Sequence, residues 1–346
     1  MSCFHLSHIF LFLSLLSCFA VETLPATPQS VKTLPVTSQN GKTLQATSLQ
    51  VTVKPYIQSY TQGRIDLRRD TVIYKQEKVI FGLNIKINEI WSASVGFDYS
   101  FSKNIPYLKP ASLTYRKDRW TMDAGIFYVS ELDKSMSQFW SNRFIERVAI
   151  DKWMLLYSAD LGVRATYRWN DFITTDVSFL SGNGYMQLRE KYHPRPSFRA
   201  IITPLRPLQL GGLIAVRKGE GFVETTFSSF AHLQMGNKWK VTGEYFRQTN
   251  SRLVEGQRMD LLSVYGTYYL TAWMGMMGRY DFINTNRIEP LVENWNVRDD
   301  GQMIIGGLIF RCLPTMRVSL SYWGKRPVVK RLEKEDWLYV CLEFKY

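Results

Sequence analysis

Basic and acidic side chains recur along this chain singly, inside segments that are otherwise apolar or aromatic at every second position. Lys86, Arg116, Arg164, Arg168, Arg217, Lys240, Arg279 and Arg317 form the basic set, with Arg199 and Lys345 in the same register. Asp98, Asp123, Asp160, Asp176, Glu224, Glu244, Asp281 and Glu343 share their parity. Side chains two apart on a strand point the same way, so these groups would line one surface with both signs and a basic excess. A water-filled passage with such a lining holds anions briefly, tightly enough to enter and weakly enough to leave. The same groups could instead pair across strands and merely keep that surface polar. Arg164 with Asp160 and Arg279 with Asp281 share a face for it, and for any single residue the two readings weigh the same.

Other chemistry has little to work with. Beyond the first 20 residues the chain has two histidines. His193 sits in a Lys-Tyr-His-Pro-Arg-Pro stretch and His232 within a strand-like run, neither with the acid and nucleophile spacing of a catalytic triad. Cys312 and Cys341 fall on opposite faces of non-neighbouring strands, so no disulfide is expected, and no Cys/His metal spacing occurs. The reading is a non-enzyme without cofactor or metal. A net charge of +13 suits anionic partners such as phosphate, carboxylates or lipopolysaccharide. Nucleic acid is disfavoured, because the basic residues form no recognisable binding motif.

The elements that must position these groups are amphipathic strands. In the last stretch, Leu338, Val340, Leu342, Phe344 and Tyr346 fall on one face and Trp337, Tyr339, Cys341, Glu343 and Lys345 on the other. Phe81 to Ile87 and Trp91 to Phe101 repeat the pattern around the turn pair Asn88-Glu89. Large apolar residues on one face and small or polar ones on the other reverse the logic of a soluble sandwich and fit a closed barrel with its apolar face in lipid. The fold class expected is an all-β transmembrane antiparallel barrel. About 16 strands are expected, with 14 and 18 as the neighbouring even solutions. Short turns, on the periplasmic side of such a barrel, should alternate with longer external loops at 68–77, 102–109, 129–157, 181–197, 248–258, 283–301 and 324–336. Lys218–Gly221 is the short exception. The 49 aromatics are spread widely enough to form girdles at both interfaces. The terminal aromatic strand has the form of a signature read by the outer-membrane barrel-assembly machinery, through Leu338, Val340, Leu342, Phe344 and Tyr346.

Residues 1–20 read as a signal peptide without the usual Lys or Arg near its start, cleaved after Ala20. Cys18 stands in a poor lipoprotein box. Residues 21–55 are a Thr/Pro/Gln-rich linker built on three decapeptides, beginning at Val21, Val31 and Gly41, too poor in apolar residues to pack a core. The barrel occupies 56–346.

Three short motifs carry a resemblance. Ser141-Asn142-Arg143-Phe144-Ile145-Glu146-Arg147, Ala159-Asp160-Leu161-Gly162-Val163 and Phe179-Leu180-Ser181-Gly182-Asn183-Gly184-Tyr185 resemble the phosphate-selective porin O/P family of bacterial outer-membrane porins. The resemblance implies a 16-stranded barrel, often a homotrimer, with a loop folded into the pore. Arg143, Glu146 and Arg147 would be candidates on that constricting loop, and lysines and arginines would conduct small anionic solutes. The chain is shorter than the family pattern, its decapeptides replace a helical N-terminal segment, and no phosphate-binding ladder aligns. The expectation is a Gram-negative outer-membrane porin in contact with lipid and lipopolysaccharide. The alternative is a structural or adhesion barrel without an open channel, binding through loops such as Gly324–Asp336.

Overall fold

A computed structural model of the chain describes residues 51–101, 104–188, 193–329 and 331–346. The expected leader with Cys18, the decapeptides at 21–50, and Lys330 lie outside the described residues. Among those described, sixteen antiparallel strands close into one barrel. They are β1 (Thr52–Asp66), β2 (Thr71–Lys86), β3 (Trp91–Ser100), β4 (Ile105–Lys117), β5 (Trp120–Tyr128), β6 (Ala159–Arg168), β7 (Ile173–Leu180) and β8 (Arg195–Leu205). The second half continues with β9 (Leu208–Lys218), β10 (Val223–Met235), β11 (Trp239–Thr249), β12 (Arg258–Tyr269), β13 (Met274–Thr285), β14 (Gly301–Leu313), β15 (Met316–Pro327) and β16 (Glu335–Lys345).

Each strand pairs with its sequence neighbours, and β1 pairs with β16 from Gln58↔Lys345 to Asp66↔Trp337. Tyr346 exchanges backbone hydrogen bonds of 3.1 and 2.9 Å with Ile57. β1 starts at Thr52, inside the stretch assigned to the linker. Thr52–Ile57 lies beyond the β16 ladder but is held along β2.

The outward face is apolar. Val177, Phe198, Ile214 and Phe227 stand directly opposite one another across four successive strands, all exposed. With Val163, Val241, Val264 and Ile304 they belong to a belt beyond the few hundred Å² that a monomer in water carries. At the short-turn end, outward aromatics meet edge to face or tilted: Trp91 with Tyr115, Trp120 with Tyr167, and Tyr167 with Trp169. The inward faces carry the charges, with Asp98, Asp123, Asp160, Asp176, Glu224, Glu244, Asp281 and Glu343 all buried.

The short turns are built by side chains that mimic backbone. Asn88 Oδ1 accepts from Ile90 and Trp91 N–H at 2.8 and 2.7 Å, and Asn170 Oδ1 accepts from Phe172 and Ile173 N–H at 2.8 Å each.

The expected alternation of loop lengths fails at two places. The stretches 68–77 and 102–109 are mostly strand, because Thr71–Lys78 pairs along β1 and Ile105–Leu108 along β3. Lys75, Gln76 and Glu77 give the first a loop-like composition. Their polar groups nevertheless find partners beside the strand, with Lys75–Glu77 at 2.5 Å and Thr61 Oγ1–Gln76 at 2.7 Å.

Candidate channel lumen and inserted loop

The connection between β5 and β6 turns into the barrel. It carries a helical turn at Ser130–Lys134, a π turn at Ser135–Phe139 and a short helix at Ala149–Lys152. Leu132, Phe139, Trp140, Phe144, Ile145 and Ile150 are at most 1% exposed. They share one apolar cluster with wall residues including Met259, Leu261, Tyr265, Met303 and Tyr339. Phe139 stacks on His232 with ring centroids 4.2 Å apart, and Trp140 meets Tyr265 edge on at 5.5 Å. Fully burying a Phe or Ile side chain contributes about 1.5–3 kcal/mol, so apolar packing is the main force seating this segment.

The wall cations grip the same segment. Arg164 pairs with Asp123 at 2.8 Å and Asp133 at 3.1 Å. Arg199 pairs with Asp176 at 2.5 Å and Asp133 at 2.7 Å, and also donates to Ser130 O. Arg279 and Asp281 pair at 2.6 Å with neither side chain exposed, and Arg279 donates to Arg147 O. Arg317 pairs with Glu343 and donates to Ser141 O at 2.9 Å. Lys240 donates to Gln138 O at 2.8 Å and Ser141 Oγ at 2.5 Å. Arg217 is the exception, pairing with Glu224 on β10 at 2.6 Å and donating to Gly182 O in the β7–β8 connection at 2.7 Å.

One expected pairing is corrected. Arg164 does not meet Asp160, because four residues along a strand span about 13 Å. Asp160 instead accepts from the N–H groups of Leu161 and Gly182, 2.8 Å each, and from Ser181. Gly182 has φ +85°, and an added Cβ there would collide with His193 O. That explains the glycine in this corner.

Lys86, Arg116 and Arg168 are not brought to the inserted segment. All three are exposed near the short turns, Lys86 paired with Glu89 at 2.6 Å.

Arg143, Glu146 and Arg147 all lie on the inserted segment. Arg143 pairs with Asp151 at 3.1 Å and Lys152 with Glu146 at 2.5 Å. Burial pushes the Glu146 carboxyl up, but Lys152 and Arg147 outweigh it and bring it down to about 2.

Sequence reasoning missed Glu131, Asp133, Arg195, Lys78 and Lys109. Arg195 pairs with Glu131, Lys78 with Asp98 at 2.9 Å, and Lys109 lies 4.3 Å over the Tyr185 ring. The parity of β8 would have found Arg195, two residues before Ser197 and four before Arg199, had the strand been started early enough.

Two cavities flank the inserted segment. One, of about 410 Å³, opens among the long loops and is lined by Arg143, Arg147, Arg195, Arg217 and Arg252 with Asp151 and Asp160. The other, of about 630 Å³, lies at the short-turn end beside Ser137, Ser141, Asn237, Lys240 and Arg311. Both carry more basic than acidic side chains.

No family model matches the chain, and no curated protein matches its sequence. Solved structures do. The outer membrane channel DcaP of Acinetobacter baumannii superposes with a TM-score of 0.64 at 10% identity, over 86% of this chain and 97% of that one. OmpF of Salmonella typhi gives 0.65 at 12%, over 85% and 98%. The anion-selective porin from Comamonas acidovorans gives 0.61 at 8%, over 86% and 100%. At such identities the likeness is one of architecture: this chain has the 16-strand barrel fold of the outer-membrane porins.

Proposed function

We propose that this chain is an outer-membrane channel for passive diffusion of small solutes, with a preference for anions. The observation that carries the reading is the division of the barrel into an apolar outward belt and a charged interior whose two cavities both carry more basic than acidic side chains. Solutes would enter among the long loops, pass between the inserted segment and the wall, and leave beside Lys240 and Arg311. No chemical step or cofactor is involved. Phosphate is the narrower solute candidate suggested by the motif resemblance. A homotrimer, recognition of the last strand by barrel-assembly machinery, and lipopolysaccharide against the long-loop rim complete the proposal.

A sealed structural or adhesion barrel is the second reading. It is favoured by one observation, the fully buried apolar cluster that fills the lumen between the two cavities. Single-channel recording of the refolded protein under a KCl gradient separates them. A reversal potential showing chloride preference is expected, and added phosphate should reduce the current if the narrower solute is right. Silence from folded, heat-modifiable protein would overturn the channel and leave the sealed barrel.

A further inference from the structure

Charge is distributed unevenly along the barrel axis. In the middle of the lumen the wall arginines have their acids: Arg164 with Asp123, Arg199 with Asp176, and Arg279 with Asp281. The long-loop cavity is close to neutral as well. Arg143, Arg195 and Arg217 are paired there with Asp151, Glu131 and Glu224, and Arg147 stands against Glu146 and Asp151. The Asp160 carboxylate adds a further negative charge to that lining.

The short-turn end differs. Arg311 on β14 stands directly opposite Arg317 on β15, and Arg317 directly opposite Glu343 on β16. Arg317 pairs with that carboxylate, so Arg311 shares the inward face with both. Lys345 comes two residues after Glu343 and is exposed on the same face. Lys240 approaches from β11, and the charges that act on it are those of Arg317 and Arg311, both positive. One carboxylate thus serves four cations. Among the described residues Arg311 and Lys345 make no ion pair, and Arg311 lies 4.6 Å over the Tyr269 ring. Like charges directly opposite each other destabilise a strand pair, and no packing demands an arginine at an exposed position. The cost points to a use for the charge.

The cavity of about 630 Å³ at this end has Lys240 and Arg311 in its lining and no carboxylate. Arg116 and Arg168 belong to the same rim, exposed and in the parity of Thr114 and Arg164, and neither makes an ion pair among the described residues. The remaining acids of this end sit on its turns: Glu89 against Lys86, Asp118 between Lys117 and Arg119, and Asp171 beside Asn170. A cleft lined by one sign between low-dielectric walls focuses its field and concentrates the opposite ion.

We infer that this chain discriminates anions from cations at the short-turn rim, through Lys240, Arg311 and Lys345, rather than beside the inserted segment or in the long-loop cavity. The effect on current rests on the channel reading above; accumulation of anions at the rim does not.

Two measurements test it. The first is the reversal potential of single barrels with a KCl gradient applied in each direction. A fixed charge at one end acts most strongly when the dilute solution bathes it, so chloride preference should differ about threefold between the two directions. Arg311→Gln combined with Lys345→Gln should abolish the difference. Equal preference in both directions would overturn the rim, as would a loss of preference in Arg147→Gln with Arg252→Gln that the rim variant does not show. Both rim side chains are exposed, so the barrel should fold without them, and the wild-type comparison needs no variant. The second measurement is calorimetric titration of the detergent-solubilised full chain with tripolyphosphate at low salt. The wild type should bind, and the rim variant about tenfold more weakly. An equal loss in Arg147→Gln with Arg252→Gln, or no binding by the wild type, would overturn the rim whether or not the barrel conducts. Binding that depends on the rim in a barrel silent in a bilayer would sink the channel and keep the rim.

Discussion

The buried pair Arg279–Asp281 differs from the exposed pair Lys86–Glu89 in what its loss would do. Asp281→Asn would leave Arg279 charged with neither side chain reachable by water. Breaking a buried pair from one side costs about 3–5 kcal/mol. Lys86→Gln, at an exposed pair with Glu89, should cost less than about 1 kcal/mol. Denaturant titration in detergent should show that contrast. A second prediction concerns pH. Glu146 titrates at about 2 in the folded chain, below its ordinary 4.5. Its folded value is depressed, so its contribution is complete above about pH 4.5 and is lost as pH falls toward 2. Proteolysis within 129–158 should therefore accelerate below about pH 4, and Glu146→Gln should flatten that dependence. A wild-type cleavage rate constant from pH 6 to 3 would remove Glu146 as the latch. The pairing partners were the least legible part of the sequence. Parity placed Arg164, Arg199, Arg279 and Arg317 on the inward face correctly. Arg279 meets Asp281 two residues along its own strand, as the spacing allowed, but the acid partners of Arg164, Arg199 and Arg317 came from neighbouring strands and the inserted segment, contacts that no local spacing encodes.

At the scale of the element, the strands were legible because their two faces differ so strongly. Glu343 lies inward and Leu342 outward, as their alternation requires. Strand ends were less legible. Thr71–Glu77 lacks the alternation, with Val72, Ile73 and Tyr74 consecutive and Lys75, Gln76 and Glu77 after them, so it looked like loop although it pairs along β1. The belt itself carries a prediction. Val264 is outward on β12, directly opposite Gly243. Val264→Arg should cost about 2–4 kcal/mol in a bilayer if that position lies near the midplane. Folding titrations in lipid vesicles would measure it; a cost near zero would place the belt elsewhere. The inserted segment is a different kind of element, short helices and turns in which buried apolar side chains are interleaved with charged ones. Its composition showed a long connection, but not that Phe139, Trp140 and Phe144 fill the lumen.

For the whole molecule, the sheet and the inserted segment are separable. Every wall strand is paired on both sides by other wall strands. Replacing 135–153 by a Gly/Ser chain should therefore leave a folded, heat-modifiable barrel with several-fold higher conductance. Unchanged conductance would mean that the passage does not run beside this segment. The seam between β1 and β16 has a consequence of its own, in time rather than in strength. Every other ladder joins strands adjacent in sequence and can form as a local hairpin, whereas the seam brings Gln58 against Lys345. Closing so long a span is entropically slow and comes only after the intervening chain is arranged. Until then β1 and β16 are both open edges, and the ends of the sheet are where an unfinished molecule would pair with a second copy instead of with itself.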